Sequence, residues 1–490
     1  MRNWIMDIEA LDGQGTPVVL RYSDGEVISE YFYEPRLKQP GIFQEGLFSN
    51  NILPSERSSF GVTQLINSDG FLNNLVEYAI DGRRVTLSLF ENGNTTELFT
   101  GIAQRFEFDR NLVNLRLRDP VEVLNIRRNF NTYAGDNILP DGLEGTQQDL
   151  KGNPKPRLYG EVEQFTPTLV NSAKLIYQIS DQNCVVTDVF DSGNPLGFDG
   201  EYNSLVELET IPPNQEDWDA WIPPAGTYRR YQGYIRLGTE PVGRLTVNAS
   251  TNNATLSEVF TKIADEAGVG MSSLGGLNAT GNVRLIATQE ETYTSMLDRL
   301  AASAGSYWRR LPDGNIEAGL IPTPSTPTFT IYDYMILSIS RSANGAGGNG
   351  IPVYRVDVNA DRIETVQDDL AGNVSESFKA RVSKQWRNEN RESSTTLARH
   401  PLSEQFTINS DLSSLSDAAD VAQRVLDIMS VRRDSVDVTI NLSTDTASLP
   451  LLSTVRLETS RLGYSQGRDM LVVQKTYNPV KNRVSLKLFG

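Results

Sequence analysis

Thr255-Leu-Ser-Glu-Val-Phe-Thr-Lys-Ile-Ala-Asp-Glu-Ala-Gly268 and Thr292-Tyr-Thr-Ser-Met-Leu-Asp-Arg-Leu-Ala-Ala-Ser-Ala-Gly305 are two versions of one pattern, thirty-seven positions apart. In the first, Leu256, Val259, Phe260, Ile263, Ala264 and Ala267 recur with the helical period. Tyr293, Met296, Leu297, Leu300, Ala301 and Ala304 repeat the stripe. Thr255 and Thr292 stand at N-cap positions, Glu258 completes a capping box with Thr255, and Gly268 and Gly305 follow the stripes where a left-handed C-cap wants glycine. Val283-Arg-Leu-Ile286 and Ser306-Tyr-Trp-Arg-Arg-Leu311 are extended, and Pro312-Asp-Gly-Asn315 turns the chain into a strand starting at Ile316. The stretch predicts a small α+β module whose apolar stripes are core, in a chain otherwise patterned for strands.

The 490 residues exceed one domain, and 39% apolar with 22% charged residues is ordinary for a folded chain. No apolar run approaches the ~20 residues of a membrane-spanning helix. Met1 to Glu9 lacks the apolar centre of a secretory signal, so folding in a cytoplasm is expected. One cysteine, Cys184, and one histidine, His400, supply neither a disulfide framework nor a usual zinc ligand set. His400 precedes Pro401 and has no nucleophile elbow near it, which makes it a loop or surface residue. Cys184 lies beside Val185 and Val186 and reads as a buried structural thiol. The net charge of −17 argues against tight nucleic-acid binding but suits a wall that DNA passes without sticking.

Read in order, residues 1–128 are short strands and tight turns, the pattern of a barrel or sandwich. Trp4, Met6 and Ile8 alternate, Glu26 to Tyr33 alternates again, Leu72 to Ala79 forms a short helix, and Gly101–Phe108 with Leu112–Leu117 makes a hairpin. Residues 129–249 form a mainly-β segment bounded by proline clusters at Pro154–Pro156, Pro212–Pro213 and Pro223–Pro224. The α+β module occupies 250–327. Residues 328–490 return to strands with one helix capped by Ser416, strands at Val353–Val358 and Phe378–Trp386, and the flexible loop Ala343–Gly350. Strands follow at Ser435–Leu442, Thr454–Glu458, Met470–Tyr477 and Arg483–Phe489.

Two stretches carry candidate chemistry. Asp357-x-Asn359-x-Asp361 with Asp368 is part of a calcium-loop pattern, but Arg362 stands where that loop needs glycine and Val356 and Val358 alternate as in a strand. A solvated strand edge is the expectation. Trp218, Trp221, Tyr228, Tyr231 and Tyr234 could stack on sugars, although the prolines around them favour a packed loop. No Gly-rich phosphate loop is present, and no catalytic, cofactor or metal residue is assigned. One internal comparison stands out. Ile102-Ala-Gln-Arg-Phe-Glu-Phe-Asp109 followed by Leu112–Leu117 resembles Val472-Val-Gln-Lys-Thr-Tyr-Asn-Pro479 followed by Arg483–Leu488, with Val85–Leu89 and Val455–Glu458 as candidate partner strands. Each first strand has a Gln-basic dipeptide, which suggests related β-domains at the two ends.

Several phrases, in their order, resemble the hub proteins of long-tailed bacteriophage tails (baseplate hub or tail-tip minor tail proteins). They are Ser68-Asp-Gly-Phe-Leu72, Asp81-Gly-Arg-Arg-Val85, Gly142-Leu-Glu-Gly145, Leu150-Lys-Gly-Asn-Pro-Lys-Pro156, Gly233-Tyr-Ile-Arg-Leu-Gly238, Pro241-Val-Gly243, Leu300–Trp308 with Asp313-Gly314, and Tyr477-Asn-Pro479 leading to Leu488-Phe-Gly490. The resemblance implies a mainly-β, multidomain (α+β) protein in which two tail-tube-like barrels flank peripheral domains. It implies a non-enzymatic virion component without cofactor, placed at the tail tip and assembled in the host cytoplasm. Such a protein closes the tail tube and joins it to a receptor-binding fibre or spike. Its implied partners are two further copies of itself in a trimeric pseudo-sixfold ring, the distal tail ring protein and tube, the tape measure protein, fibre or spike proteins, and phage DNA in transit. Relatives often carry fibre or peptidoglycan-cleaving extensions; with the second barrel ending at Gly490, those functions are expected in other proteins. A carbohydrate-binding adhesin and a tail-associated cell-wall hydrolase are the alternatives.

Overall fold

The computed structural model describes all residues except 1, 28, 48–58, 126–130, 211–220, 278–279, 312 and 345–349. Most of the expected Ala343–Gly350 loop, Trp218, Pro212–Pro213, Pro54 and Pro312 therefore lie outside the described residues. Trp4, Met6, Ile8 and Ala10 are buried along β1 (Arg2–Leu11), as a strand with one face inward requires. After it come β2 (Pro17–Ser23), β3 (Leu37–Gln39), β4 (Phe43–Gly46), β5 (Ser59–Phe60) and β6 (Thr63–Ile66). A 3-10 helix at Phe71–Glu77 leads to β7 (Arg84–Glu91), β8 (Asn94–Phe108) and β9 (Leu112–Arg118). Seven of these strands form one antiparallel sheet in the order β2-β1-β7-β8-β9-β6-β3. Glu26–Tyr33, expected as a strand, is not one: the chain bends through residues 29–31 and only Tyr33 of its aromatic residues is buried. Alternation without a neighbouring ladder does not make a strand.

The middle holds three small sheets. β10 (Arg157–Leu158) pairs with β21 (Ile286–Ala287). β11 (Glu161–Phe165), β19 (Leu245–Ser250), β14 (Val185–Asp191) and β15 (Asn194–Pro195) form a four-stranded sheet. It faces five strands in the order β12 (Thr168–Asn171), β13 (Ile176–Gln178), β18 (Tyr234–Leu237), β17 (Thr227–Tyr231) and β16 (Gly197–Glu201), with α1 at Leu205–Glu209. Val162, Val186, Val247, Ile235 and Leu237 belong to a core shared by these two sheets.

The α+β module follows its sequence closely. α2 (Leu256–Glu266) and α3 (Tyr293–Ser303) pack against β20 (Met271–Gly275), β23 (Ile316–Leu320) and β22 (Ser306–Arg310). The Thr255 hydroxyl accepts from the Glu258 N–H at 3.4 Å, and the Glu258 carboxylate accepts from the Thr255 N–H at 3.1 Å. Gly305 is left-handed, with φ 56°, and a Cβ there would stand 2.7 Å from Val425 Cγ2. Glycine therefore both ends α3 and lets a neighbouring helix approach.

The last segment holds β24 (Phe329–Tyr332), β25 (Ile336–Asn344), β26 (Arg355–Ala360), α4 (Glu376–Val382), β27 (Arg387–Glu392), α5 (Ser394–Arg399) and β28 (Gln405–Asn409). It ends with α6 (Leu415–Met429), β29 (Arg433–Asn441), α7 (Thr444–Ala447), β30 (Thr454–Glu458), β31 (Arg468–Asn478) and β32 (Arg483–Phe489). β24-β30-β31-β32-β29-β25 are neighbours in one sheet, while β27-β26-β28 make a separate one under α6. Where one helix was expected, four form. α6 is the expected one, but its N-cap is Ser414, not Ser416. Phe378–Trp386, expected as a strand, starts inside α4, which is capped by Ser375. There, Arg381 reaches Glu163 and Asp361, so tertiary ion pairs decide the local conformation.

Thr255→Ala should lower stability by about 1 kcal/mol, because it removes the hydroxyl that accepts from the Glu258 N–H and donates to the Glu258 carboxylate. Thr292→Ala should cost less, since Thr292 only accepts from the Ser295 N–H and has no glutamate answering it. Urea denaturation of the three chains checks the order.

Candidate functional site

The two terminal sheets share one plan, of which the sequence shows the last hairpin and its partner strand. β3, β6, β7, β8 and β9 lie side by side as β7-β8-β9-β6-β3; β25, β29, β30, β31 and β32 lie as β30-β31-β32-β29-β25. Chain order, antiparallel sense and neighbour order are the same, and a short helix joins the second strand of each set to the third. The registers agree as well. Val113 lies opposite Leu65 and Phe108; Val484 lies opposite Ile440 and Tyr477. A one-residue irregularity falls between Leu37 and Gln39 in one edge strand and between Ile336 and Ser338 in the other.

Hydrogen bonds at the bulge repeat too. The Ala103 N–H donates to the Arg83 carbonyl at 2.8 Å, and the Gly82 N–H donates to the Ala103 carbonyl at 3.0 Å. In the other set the Val472 N–H donates to the Ser453 carbonyl at 3.0 Å, and the Leu452 N–H to the Val472 carbonyl at 2.7 Å. Gly82 and Leu452 are both left-handed, with φ 74° and 65°. The sequence comparison of the hairpins is therefore sound in its second strands and one residue off in its first. Ala103 corresponds to Val472 and Phe108 to Tyr477, so Gln104-Arg105 matches Val473-Gln474 and the shared Gln-basic dipeptide is accidental. Register follows the buried alternation of Val113 and Leu115 with that of Val484 and Leu486, which a one-residue slip would turn outward. Val85–Leu89 and Val455–Glu458 do partner the hairpins.

A four-residue strand joins the two units. After β3 the chain turns at Gly41, φ 90°, and β4 lies antiparallel against β31, with Phe43 opposite Tyr477 and Gly46 opposite Gln474. β31 is thus shared along one edge, its first half with β30 and its second half with β4. Phe43 is fully buried and stacks on Phe99 of β8 at 4.7 Å. Glu45 meets Lys475 at 3.1 Å, and Lys475 is only 6% exposed. Burial pulls the Lys475 ammonium down, but the Glu45 carboxylate and the Tyr477 hydroxyl outweigh it, so its pKa lies above the ordinary lysine value. A second tie runs from Arg2 to the Leu442 carbonyl at 2.8 Å, and from the Thr444 hydroxyl to Glu91 at 2.7 Å. Sequence reading missed Phe43, Glu45 and Lys475, because Phe43–Gly46 is too short to show a period.

The residues singled out from sequence are scattered. His400 is the C-cap of α5, its N–H donating to the Thr396 carbonyl. Cys184 is buried in the middle core, and burial pushes its thiol up to about 12. Asp357, Asn359 and Asp361 fall on β26 and its end, where their side chains are taken by protein partners. Arg355 holds Asp357 at 2.7 Å, Asn388 and Asn409 hold Asn359, and Arg284, Arg381 and Arg387 surround Asp361, while Asp368 is exposed. Among the described residues no three His, Cys, Asp or Glu side chains converge to hold a metal ion. Among the described residues of the aromatic run, Tyr228 is in the middle core, and Tyr231 and Tyr234 pack on a small cluster around Tyr133 and Leu208. The Tyr234 hydroxyl accepts from Gln178.

No protein-family profile matches this chain, and no curated protein matches it in sequence. Among solved structures it is similar to the 43 kDa tail protein of prophage MuSo2 from Shewanella oneidensis, at 9% identity and a TM-score of 0.43, covering 100% of this chain and 96% of that one. It is similar to a tail protein from Neisseria meningitidis MC58 at 11% identity and a TM-score of 0.45, covering 99% and 96%. It is similar, too, to prophage tail protein gp18 from Listeria monocytogenes EGD-e, at 8% identity and a TM-score of 0.40, covering 99% and 94%.

Two outcomes follow from the geometry. Glu45→Gln should destabilise the chain by about 3 kcal/mol at pH 7, since it leaves the Lys475 charge buried without its partner, whereas pairing it with Lys475→Met should recover most of the loss. The Glu45–Lys475 contribution is complete below the ordinary lysine pKa and is lost as pH rises through the elevated Lys475 value. The gap between wild type and Glu45→Gln in denaturation midpoint should close only at strongly alkaline pH. Cys184 should ignore Ellman's reagent at pH 8 in the native chain and react at once in guanidinium.

Proposed function

We propose that this chain is a structural hub protein of a bacteriophage tail tip, closing the tail tube and linking it to a receptor-binding fibre or spike. The observation that carries this reading is the repeated five-strand unit at the two ends of one chain. A tube of sixfold rings that must end on a threefold fibre needs a component able to meet both symmetries. Three copies of a chain with two like units place six units in a ring, alternating first and second, and closure removes free sheet edges. The division proposed is a first ring-forming segment at 1–128, peripheral segments at 129–249 and 250–327 outside the ring, and a second ring-forming segment within 328–490.

The phrases shared with tail hub proteins support the same reading, as does the net charge of −17. An acidic wall repels phosphates, so DNA would pass through the ring without being held. The partners are then the distal tail ring protein and the tube on one side, fibre or spike proteins on the other, and the tape measure protein and DNA within. No chemical step is assigned to the chain. Subunit counting in a tail reconstruction tests the reading: three copies per ring are expected, and six copies or one would overturn it.

A further inference from the structure

The first unit lacks, within its own chain, what the second unit has. In the second, residues Val473–Tyr477 of β31 are covered by β4, and Lys475 and Tyr477 are 6% and 1% exposed. The equivalent residues of the first unit are Gln104–Phe108 of β8. β8 pairs with β7 only as far as Ile102, its Ala103 still bonds to Gly82 and Arg83, and from Arg105 to Phe108 that edge has no strand partner among the described residues. Phe106 and Phe108, the counterparts of Lys475 and Tyr477, stand on the same face as buried Leu115 and Val113, and Phe108 is 40% exposed. Their rings touch each other at 6.3 Å and leave the flank of the core unfinished.

The complementary oddity lies in the second unit. Leu37 and Gln39 of β3 correspond to Ile336 and Ser338 of β25, with the irregularity in the same place. In the first unit the chain leaves the ladder at Gly41 and becomes β4, sandwiched between β31 and β5. In the second it runs straight on beside β29 through Arg341 and Ser342. The outer half of β25 is therefore the counterpart of β4, with β29 in the place of β5 on one side. On the other side, from Leu337 to Asn344, it has no strand partner among the described residues. Leu337 is 45% exposed there, and Ile339 is only half-buried against the core.

We propose that these two edges belong together: the Phe106–Phe108 edge of β8 pairs antiparallel with the Ser342–Asn344 edge of β25 in a neighbouring copy of this chain. The occupant is a second copy because each edge supplies what the other's counterpart already has inside the chain. β4 on β31 is the worked example of the contact. Carried over through the shared register, it sets Ser342 opposite Phe108 and Asn344 opposite Phe106 and continues the sheet across the boundary. Two different surfaces meeting head to tail generate a ring when the rotation closes. This inference rests on the ring reading and names the strands that close it.

Cysteine pairs in assembled particles test it. Glu107→Cys is combined in turn with Ser342→Cys, Ala343→Cys and Asn344→Cys, followed by mild oxidation and non-reducing denaturing electrophoresis. At least one pair should give covalent dimers and trimers and nothing larger, and each single variant should stay monomeric. Three copies per ring with monomer bands for all three pairs would overturn the edge pairing and leave the ring standing. A different copy number would overturn the ring itself. Phe108→Asp gives an independent arm. A chain with wild-type Tm that is incorporated into particles at least tenfold less supports the contact, and full incorporation refutes it.

Discussion

β4 is four residues long, and the relation between the two ends of the chain depends on it. By lying along β31 it makes one sheet edge of the second unit out of residues from the first, and it drives Phe43 between Phe99 and Tyr477. Fully burying a phenylalanine is worth about 2–3 kcal/mol, and the ladder around it fixes direction as well as distance. The buried Glu45–Lys475 pair adds specificity more than stability, because taking two charges out of water costs much of what their attraction returns. The outcome is one continuous apolar core running through both terminal sheets and into the α+β module.

The two units are alike in plan and different in use. The second carries a long insertion between β25 and β29, holding the β27-β26-β28 sheet and α6. That insertion is locked to the α+β module. The Ser410 hydroxyl donates to the Ser303 carbonyl and the Ser303 hydroxyl accepts from the Asp411 N–H, each at 2.8 Å, while Arg424 donates to the Ala304 carbonyl at 2.7 Å. Orphan carbonyls at the end of α3 are thus satisfied by the insertion rather than by water. Glu163 from the middle sheets, Arg284 from the module, and Asp361, Arg381 and Arg387 from the insertion form a five-residue ion cluster at the meeting of three segments. Such a frame holds the peripheral parts at a set angle to the terminal sheets.

Most of the local structure was legible. α2, α3 and α6, the hairpins of β8–β9 and β31–β32, and β30 and β32 follow from period, caps and turns, because those signals act within a few residues of themselves. Phe378–Trp386 and Glu26–Tyr33 misled for the opposite reason: alternation is a statement about two faces, and it makes a strand only where a partner backbone waits. The Asp357–Asp361 run, expected as a solvated strand edge, instead lies on the central strand of its sheet and its end, with Asp357 and Asp361 buried. Its carboxylates are spaced for a metal, but Asp357 is satisfied by Arg355 two residues away and Asp361 by Arg284 and Arg381, which are distant in sequence.

What the sequence by itself determined is the inventory: a mainly-β chain with one strongly helical module, a lone buried thiol, no zinc ligand set, and two hairpins that look related. What only the tertiary structure decided is how the ends correspond. The shared plan rests on β3 and β25, on left-handed Gly82 and Leu452, and on bulges at Gln104 and Val473, where the residue types have nothing in common. Backbone pairing and a positive φ constrain geometry, not side-chain identity, so a repeat built from them can persist after its sequence trace has gone. The path of β4 is of the same kind, since a four-residue strand is chosen by the edge that receives it.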